Sequence, residues 1–304
     1  MEFFSDMLSL QLMLFVLILV GVLIRRIGLL TESGCKMLSS LLINLILPCN
    51  IVHAFMSGAE VGAEFARNCF LMVGLSALIQ AIAAVGNRFL FARFPREERS
   101  VLSYGMICSN SSFVGLPIAE ELFGSIGVMY TSVFQIPLRF IMWTAGLSLF
   151  TDISRGDALK KLVRHPCIIA VFLGLLMMVL PVELPDFLNS ALNAMSSCTT
   201  PVSMLVIGSI LALAPVRSLF SLPVLYFTAL RLVVFPLLVY VLLLPFNLDR
   251  LLVDICVLMT AMPAGSSTSI LATQYDCNAV FASEIIFTST LFSIVTIPLL
   301  SLLF

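Results

Sequence analysis

Charge is what this sequence has least of. Asp, Glu, Lys and Arg make up 11% of it, where a soluble domain carries roughly 25%, and that shortage excludes a wettable surface around a globular core. The 16 basic residues are balanced by 17 acidic ones and form no stripe that could neutralise phosphates, which excludes a nucleic-acid partner. The two histidines, His53 and His165, have no companions at metal-ligand spacing. The eight cysteines stand singly with no Cys-x-x-Cys pair, so they read as small hydrophobes rather than as a zinc cluster or a disulfide framework. No nucleotide-binding glycine motif, central carboxylate pair or Ser/His couple is present, so neither an enzyme nor a bound cofactor or metal is expected.

What is present is apolar length. Hydrophobic residues are 60% of the chain and mean hydropathy is +1.12. Runs of 18 or more apolar residues, the length that crosses a bilayer, recur throughout and give ten predicted spans, at about 7–25, 36–56, 66–91, 99–123, 126–150, 164–181, 190–214, 219–245, 252–275 and 279–303. Acids rather than bases precede the first run, and no small-residue cleavage site follows it, so it reads as a retained helix. Twelve basic residues fall in the odd-numbered connections and two, Arg67 and Arg250, in the even ones. Lys and Arg are held on the cytoplasmic side, so both termini are expected outside a plasma or inner membrane.

The longest polar connection, Thr151 to His165, leaves five spans on each side. An odd number per half inserts the second half upside down, giving two inverted five-helix repeats, 1–155 and 156–304. Proline positions agree in part: Pro48 and Pro201 are 153 residues apart and Pro117 and Pro263 are 146 apart, whereas Pro137 and Pro298 do not correspond.

Two spans carry residues that hydrocarbon does not tolerate. The fourth contains Ser109-Asn110-Ser111-Ser112-Phe113-Val114-Gly115-Leu116-Pro117, and the ninth Ala261-Met262-Pro263-Ala264-Gly265-Ser266-Ser267-Thr268-Ser269. Proline deletes a donor and displaces the carbonyl four residues back, so both spans are expected to break. A half-helix that starts at mid-membrane aims N–H groups and partial positive charge at an anion, with Asn110 and Ser266 as further donors. Arg139 and Arg231 fall mid-span, where an arginine costs about 2.5–3.5 kcal/mol, and Arg231 is a candidate to attract a carboxylate. Glu120 and Glu121 are expected on a solvated rim, and Glu284 is a candidate proton carrier. The segments around Pro48 and Pro201 read as kinked scaffold helices.

With these motifs the chain resembles the auxin efflux carrier family, which includes plant auxin carriers and bacterial malonate-type carriers and is related in fold to bile-acid sodium symporters. The resemblance rests on Asn110-x-x-Phe113-x-Gly115-x-Pro117, Asn44-x-x-x-Pro48, Thr200-Pro201, Arg231-x-x-x-x-Pro236 and Met262-Pro263-Ala264, and it covers the whole chain. It implies an all-α membrane protein of ten helices in inverted repeats, with spans 1, 2, 6 and 7 as scaffold and spans 3–5 and 8–10 as a moving transport domain. It also implies that spans 4 and 9 cross at their breaks, that Asn110 contacts a solute anion, and that a homodimer forms through the scaffold. The long loop of the larger plant carriers is absent, and the third span has Gln80 but no central charge. These departures favour a small mono- or dicarboxylate over auxin.

The expected function is therefore secondary transport of a small organic anion by alternating access, at a site formed from Asn110, Ser111, Phe113, Gly115, Pro117, Pro263, Ala264, Gly265, Ser266 and Arg231. The alternatives are a sodium- or proton-coupled symporter of a bile-acid-like solute and a membrane sensor that does not transport. Sequence carries no charge ring or repeated filter that would suggest a channel.

Overall fold

A computed structural model describes residues 2–57, 63–150, 163–180, 184–212, 221–265, 267–275 and 277–303. Every regular element among them is helical. In chain order they are α1 (Glu2–Arg26), α2 (Glu32–Ser57), α3 (Ala63–Leu90), α4 (Arg96–Ile107), α5 (111–123), α6 (125–149), α7 (Pro166–Val179), α8 (Asp186–Leu211), α9 (Leu222–Phe246), α10 (Arg250–Thr260), α11 (Ser267–Gln274) and α12 (Ala279–Ser301). The basic residues expected at 155, 160, 161 and 217 lie outside the described residues.

Among the described residues, six helical runs are long and apolar enough to cross a membrane: α2, α3, the run Ser111–Gly146 of α5 and α6, α8, α9 and α12. Their outer faces carry large apolar side chains, with Phe70 80%, Phe89 79% and Leu222 81% exposed. Such faces are stable against lipid tails and not against water. Gly124, with φ 63° and ψ −152°, separates α5 from α6; that conformation is essentially closed to any residue with a Cβ.

Three prolines leave the same local signature. A five-residue turn widened to i→i+5 bonding occurs at Leu42–Ile46, Ser111–Gly115 and Leu230–Val234, each ending two residues before Pro48, Pro117 or Pro236. The centre of each turn, Asn44, Phe113 or Leu232, is the residue whose carbonyl the proline ring would strike. Widening the turn moves that carbonyl aside and keeps the helix running. The Cys167 thiol donates to one skipped carbonyl, Ile43 O, at 3.8 Å. Pro117 therefore widens α5 rather than breaking it, in contrast to the sequence expectation: the fourth span is interrupted upstream, at Cys108–Asn110.

The chain forms two compact units. The first, Met1–Cys69, Ser112–Val133 and Val163–Leu213, holds α1, α2, α5, α7 and α8. There Gly21 and Gly208 let α1 and α8 touch backbone to backbone, a Cβ on Gly208 falling 2.1 Å from Ile18 O. The Phe55 side chain of α2 packs directly on Gly174 of α7, where a Cβ would fall 2.8 Å from Phe55 Cδ2. The second, Phe70–Ser111, Phe134–Leu162 and Ala214–Phe304, holds most of α3, α4, the later part of α6, and α9 to α12. Its core includes Tyr104, Phe227, Leu252 and Ile285, all essentially inaccessible.

Candidate functional site

Two helices of the second unit stop inside its core. α4 ends at Ile107, and Cys108 turns to extended backbone (φ −94°, ψ 91°) ahead of Ser109 and Asn110, whose short polar side chains favour turns over helix. α10 ends at Thr260, and Pro263 biases Met262 away from the helical region. The two extended stretches meet as an isolated antiparallel bridge between Ser109 and Ala264. Asn110 N donates to Pro263 O at 2.8 Å, and Gly265 N donates to Cys108 O at 2.8 Å. Ala264 N finds Ser289 Oγ of α12 at 3.2 Å. Glycine at 265 suits this close approach, since a Cβ would press on Cys108 O at 3.1 Å and Cys108 Sγ at 3.3 Å.

Arg231 closes the arrangement. It sits in the widened turn before Pro236, 2% exposed. Its Nε donates to Met262 O at 2.9 Å and one terminal nitrogen donates to Met106 O at 2.7 Å. Met106 lies in the last turn of α4, whose C-terminus carries roughly half a negative charge, and Met262 follows the C-cap of α10. One buried guanidinium thus faces two partial charges of opposite sign, which offsets the cost of placing it in the core. Its hydrogen bonds go to the protein's own main chain.

The opposite polarity is left over. α5 starts at the residue after Asn110, and α11 starts two residues after Gly265, so both interrupted spans resume with an N-terminus. The Asn110 side chain is half-buried and has no partner among the described residues. Cys108 Sγ lies 3.1 Å from Ser267 Oγ and 3.2 Å from Met142 Sδ, in a cluster with Tyr104 and Leu271.

The structure thus brings Asn110, Pro263, Ala264, Gly265 and Arg231 together, with Ser111 buried at the edge of the same unit. Phe113, Gly115 and Pro117 are buried in α5, which belongs to the first unit. Ser266 lies outside the described residues. Arg139 is half-buried and donates to Gln135 Oε1 at 3.1 Å. Glu120 departs from the rim expectation: it is half-buried and hydrogen-bonded to Asn50 of α2, a residue 70 positions away that no local pattern links to it.

Helices with apolar outer faces, two of them interrupted and joined through their backbones, define a multi-pass membrane protein. A family model described as Membrane transport protein matches residues 7–158 and again 153–301. The chain accordingly belongs to this family, that of the auxin efflux carriers, and is a transport protein rather than an enzyme. It is similar to an uncharacterized transporter of Methanocaldococcus jannaschii, 24% identical with 95% of this chain and 96% of the relative covered. It is also similar to one of Methanothermobacter thermautotrophicus, 26% identical with 94% of each covered.

Proposed function

We propose that this chain is a secondary carrier of a small organic anion, a mono- or dicarboxylate, working by alternating access. The observation that carries the reading is the Ser109–Ala264 bridge, where two interrupted helices exchange backbone hydrogen bonds. Arg231 occupies the negative ends of α4 and α10. The N-terminus of α11 remains, and its polarity suits a carboxylate. Asn110 is the side chain assigned to the guest, because its amide is uncommitted and adjoins the bridge. Arg231 acts one step back, by holding the two helix ends.

Ten spans in inverted repeats, with both termini on the non-cytoplasmic side of a plasma or inner membrane, complete the reading. The motif resemblance and the basic-residue asymmetry support it. A scaffold of spans 1, 2, 6 and 7, dimerised in the bilayer, with a mobile domain of spans 3–5 and 8–10, is the arrangement the motif resemblance implies; the first compact unit holds spans 1, 2, 6 and 7 but also residues 112–133 of spans 4 and 5.

The test is binding and flux of radiolabelled malonate and other small carboxylates with purified protein in liposomes. Saturable uptake is expected, and Asn110→Ala should weaken affinity about two- to tenfold, the worth of one ordinary hydrogen bond of roughly 0.5–1.5 kcal/mol. Affinity unchanged in a folded Asn110→Ala protein would remove the bridge as the site.

A further inference from the structure

The first unit contains an acid that nothing in the solute site uses. Glu120, half-buried on α5, receives the Asn50 side-chain amide at 2.8 Å on Oε1 and 2.9 Å on Oε2. Asn50 is 1% exposed and also reaches Ser196 Oγ of α8 at 3.0 Å. Asn50 thus links α5, α2 and α8, yet none of the ion pairs among the described residues includes Glu120. Ionisable side chains inside a membrane are costly and normally pair with opposite charge.

One further feature points to what neutralises it. The Asn50 Oδ1 atom is buried without a partner. An amide N–H aimed at both carboxylate oxygens repels a metal cation at that edge, whereas a proton is compatible with the same geometry. Rotating the amide by half a turn presents Oδ1 to the acid. The other titratable groups on the packed elements, apart from the half-buried Cys35 and Cys49 of α2, are exposed or already bonded. Glu121 of α5 and Asp186 of α8 are exposed, His53 of α2 bonds Ser57 Oγ at 3.3 Å, and Cys198 donates to Ala194 O. Cys49 beside Asn50 is half-buried.

We propose that Glu120, held by Asn50, is a proton-binding site through which solute movement is coupled to a proton gradient. On loading, a proton from water forms an O–H bond with a Glu120 carboxylate oxygen, the amide turns, and the acid donates to Asn50 Oδ1. On release the proton returns to water, and the carboxylate regains the amide N–H bonds. The coupling part rests on the transport reading above; the binding part does not.

The experiment is pH-difference infrared spectroscopy of the reconstituted full chain, without solute. A carboxylic acid C=O band that titrates is expected in the wild type and should be lost in Glu120→Gln. Glu284→Gln and Asp254→Asn, which remove the other buried acids among the described residues, should leave it in place. Asn50→Ala should move the band to higher frequency by withdrawing the acceptor, a readout that keeps the carboxyl and does not depend on Glu120→Gln folding. A spectrum unchanged in both Glu120→Gln and Asn50→Ala would overturn the proposal. So would thermal stabilisation by sodium chloride over choline chloride that Glu120→Gln abolishes, since the occupant would then be sodium. In liposomes, accumulation of malonate driven by a pH gradient should disappear in Glu120→Gln, and its survival would overturn the coupling. Wild-type liposomes inert to every carboxylate would count against the transport reading, while the infrared band still decides the proton site.

Discussion

Replacing Arg231 by methionine tests whether the guanidinium organises the crossing or meets the solute. Methionine preserves much of the length and apolar packing but offers no donor, so Met262 O and Met106 O, bonded at 2.9 and 2.7 Å in the native protein, lose their partner in the core. A buried polar group left unsatisfied costs about 1–3 kcal/mol, which for two carbonyls is about 2–6 kcal/mol. Part is returned because a charge no longer has to be buried, so a net loss of about 2–4 kcal/mol is expected. The usual neutrality of swapping a buried ion pair for apolar residues does not apply, because backbone carbonyls cannot be swapped. Arg231→Lys keeps the charge without the planar fork and should fall between the wild type and methionine. Reversible unfolding in mixed SDS micelles measures the order. Arg231→Met with wild-type stability but weakened solute affinity would refute the reasoning and put the guanidinium on the guest.

Other perturbations follow from the same geometry. Pro236→Ala restores a backbone donor and is locally favourable to a helix, yet it permits the widened turn that carries Arg231 to close; a net loss of stability by SDS unfolding is expected, and a gain would mean that the turn does not position Arg231. Gly265→Val should separate the bridged segments, lowering carboxylate binding and destabilising the chain by about 1–3 kcal/mol as overpacking does; wild-type binding would contradict the close approach. Gly208→Ala should cost at least as much, because its Cβ would fall on the backbone of α1, and unchanged unfolding would show that the helices can part freely. Ser289→Ala removes the partner of Ala264 N and should cost about 1–3 kcal/mol by the same measurement.

The two interruptions show how far local reading carries. Pro263 marks its break correctly, since a residue before proline is driven out of helix. Pro117 misleads, because the same ring chemistry can be relieved by widening one turn, as also happens before Pro48 and Pro236. Which outcome occurs depends on whether a partner exists for the freed backbone. At Cys108–Asn110 the partner is the ninth span's own break, more than 150 residues away. The Arg231-x-x-x-x-Pro236 spacing was visible as a motif, but its meaning was not: the proline shapes the turn that holds the arginine against two helix ends.

Composition and hydrophobic run length by themselves determined that this protein is a helical membrane protein, because apolar segments without charge have only one broad environment in which their backbones can be satisfied. Sequence also singled out the segments around Asn110 and Pro263, whose polar and helix-weakening residues are out of place in lipid. Only tertiary structure decided that Arg231 serves Met106 O and Met262 O, and that Glu120 is tied to Asn50. Those assignments depend on which carbonyl or amide lies within 3 Å of a side chain, a distance set by the packing of helices remote in sequence and not by any residue's immediate neighbours.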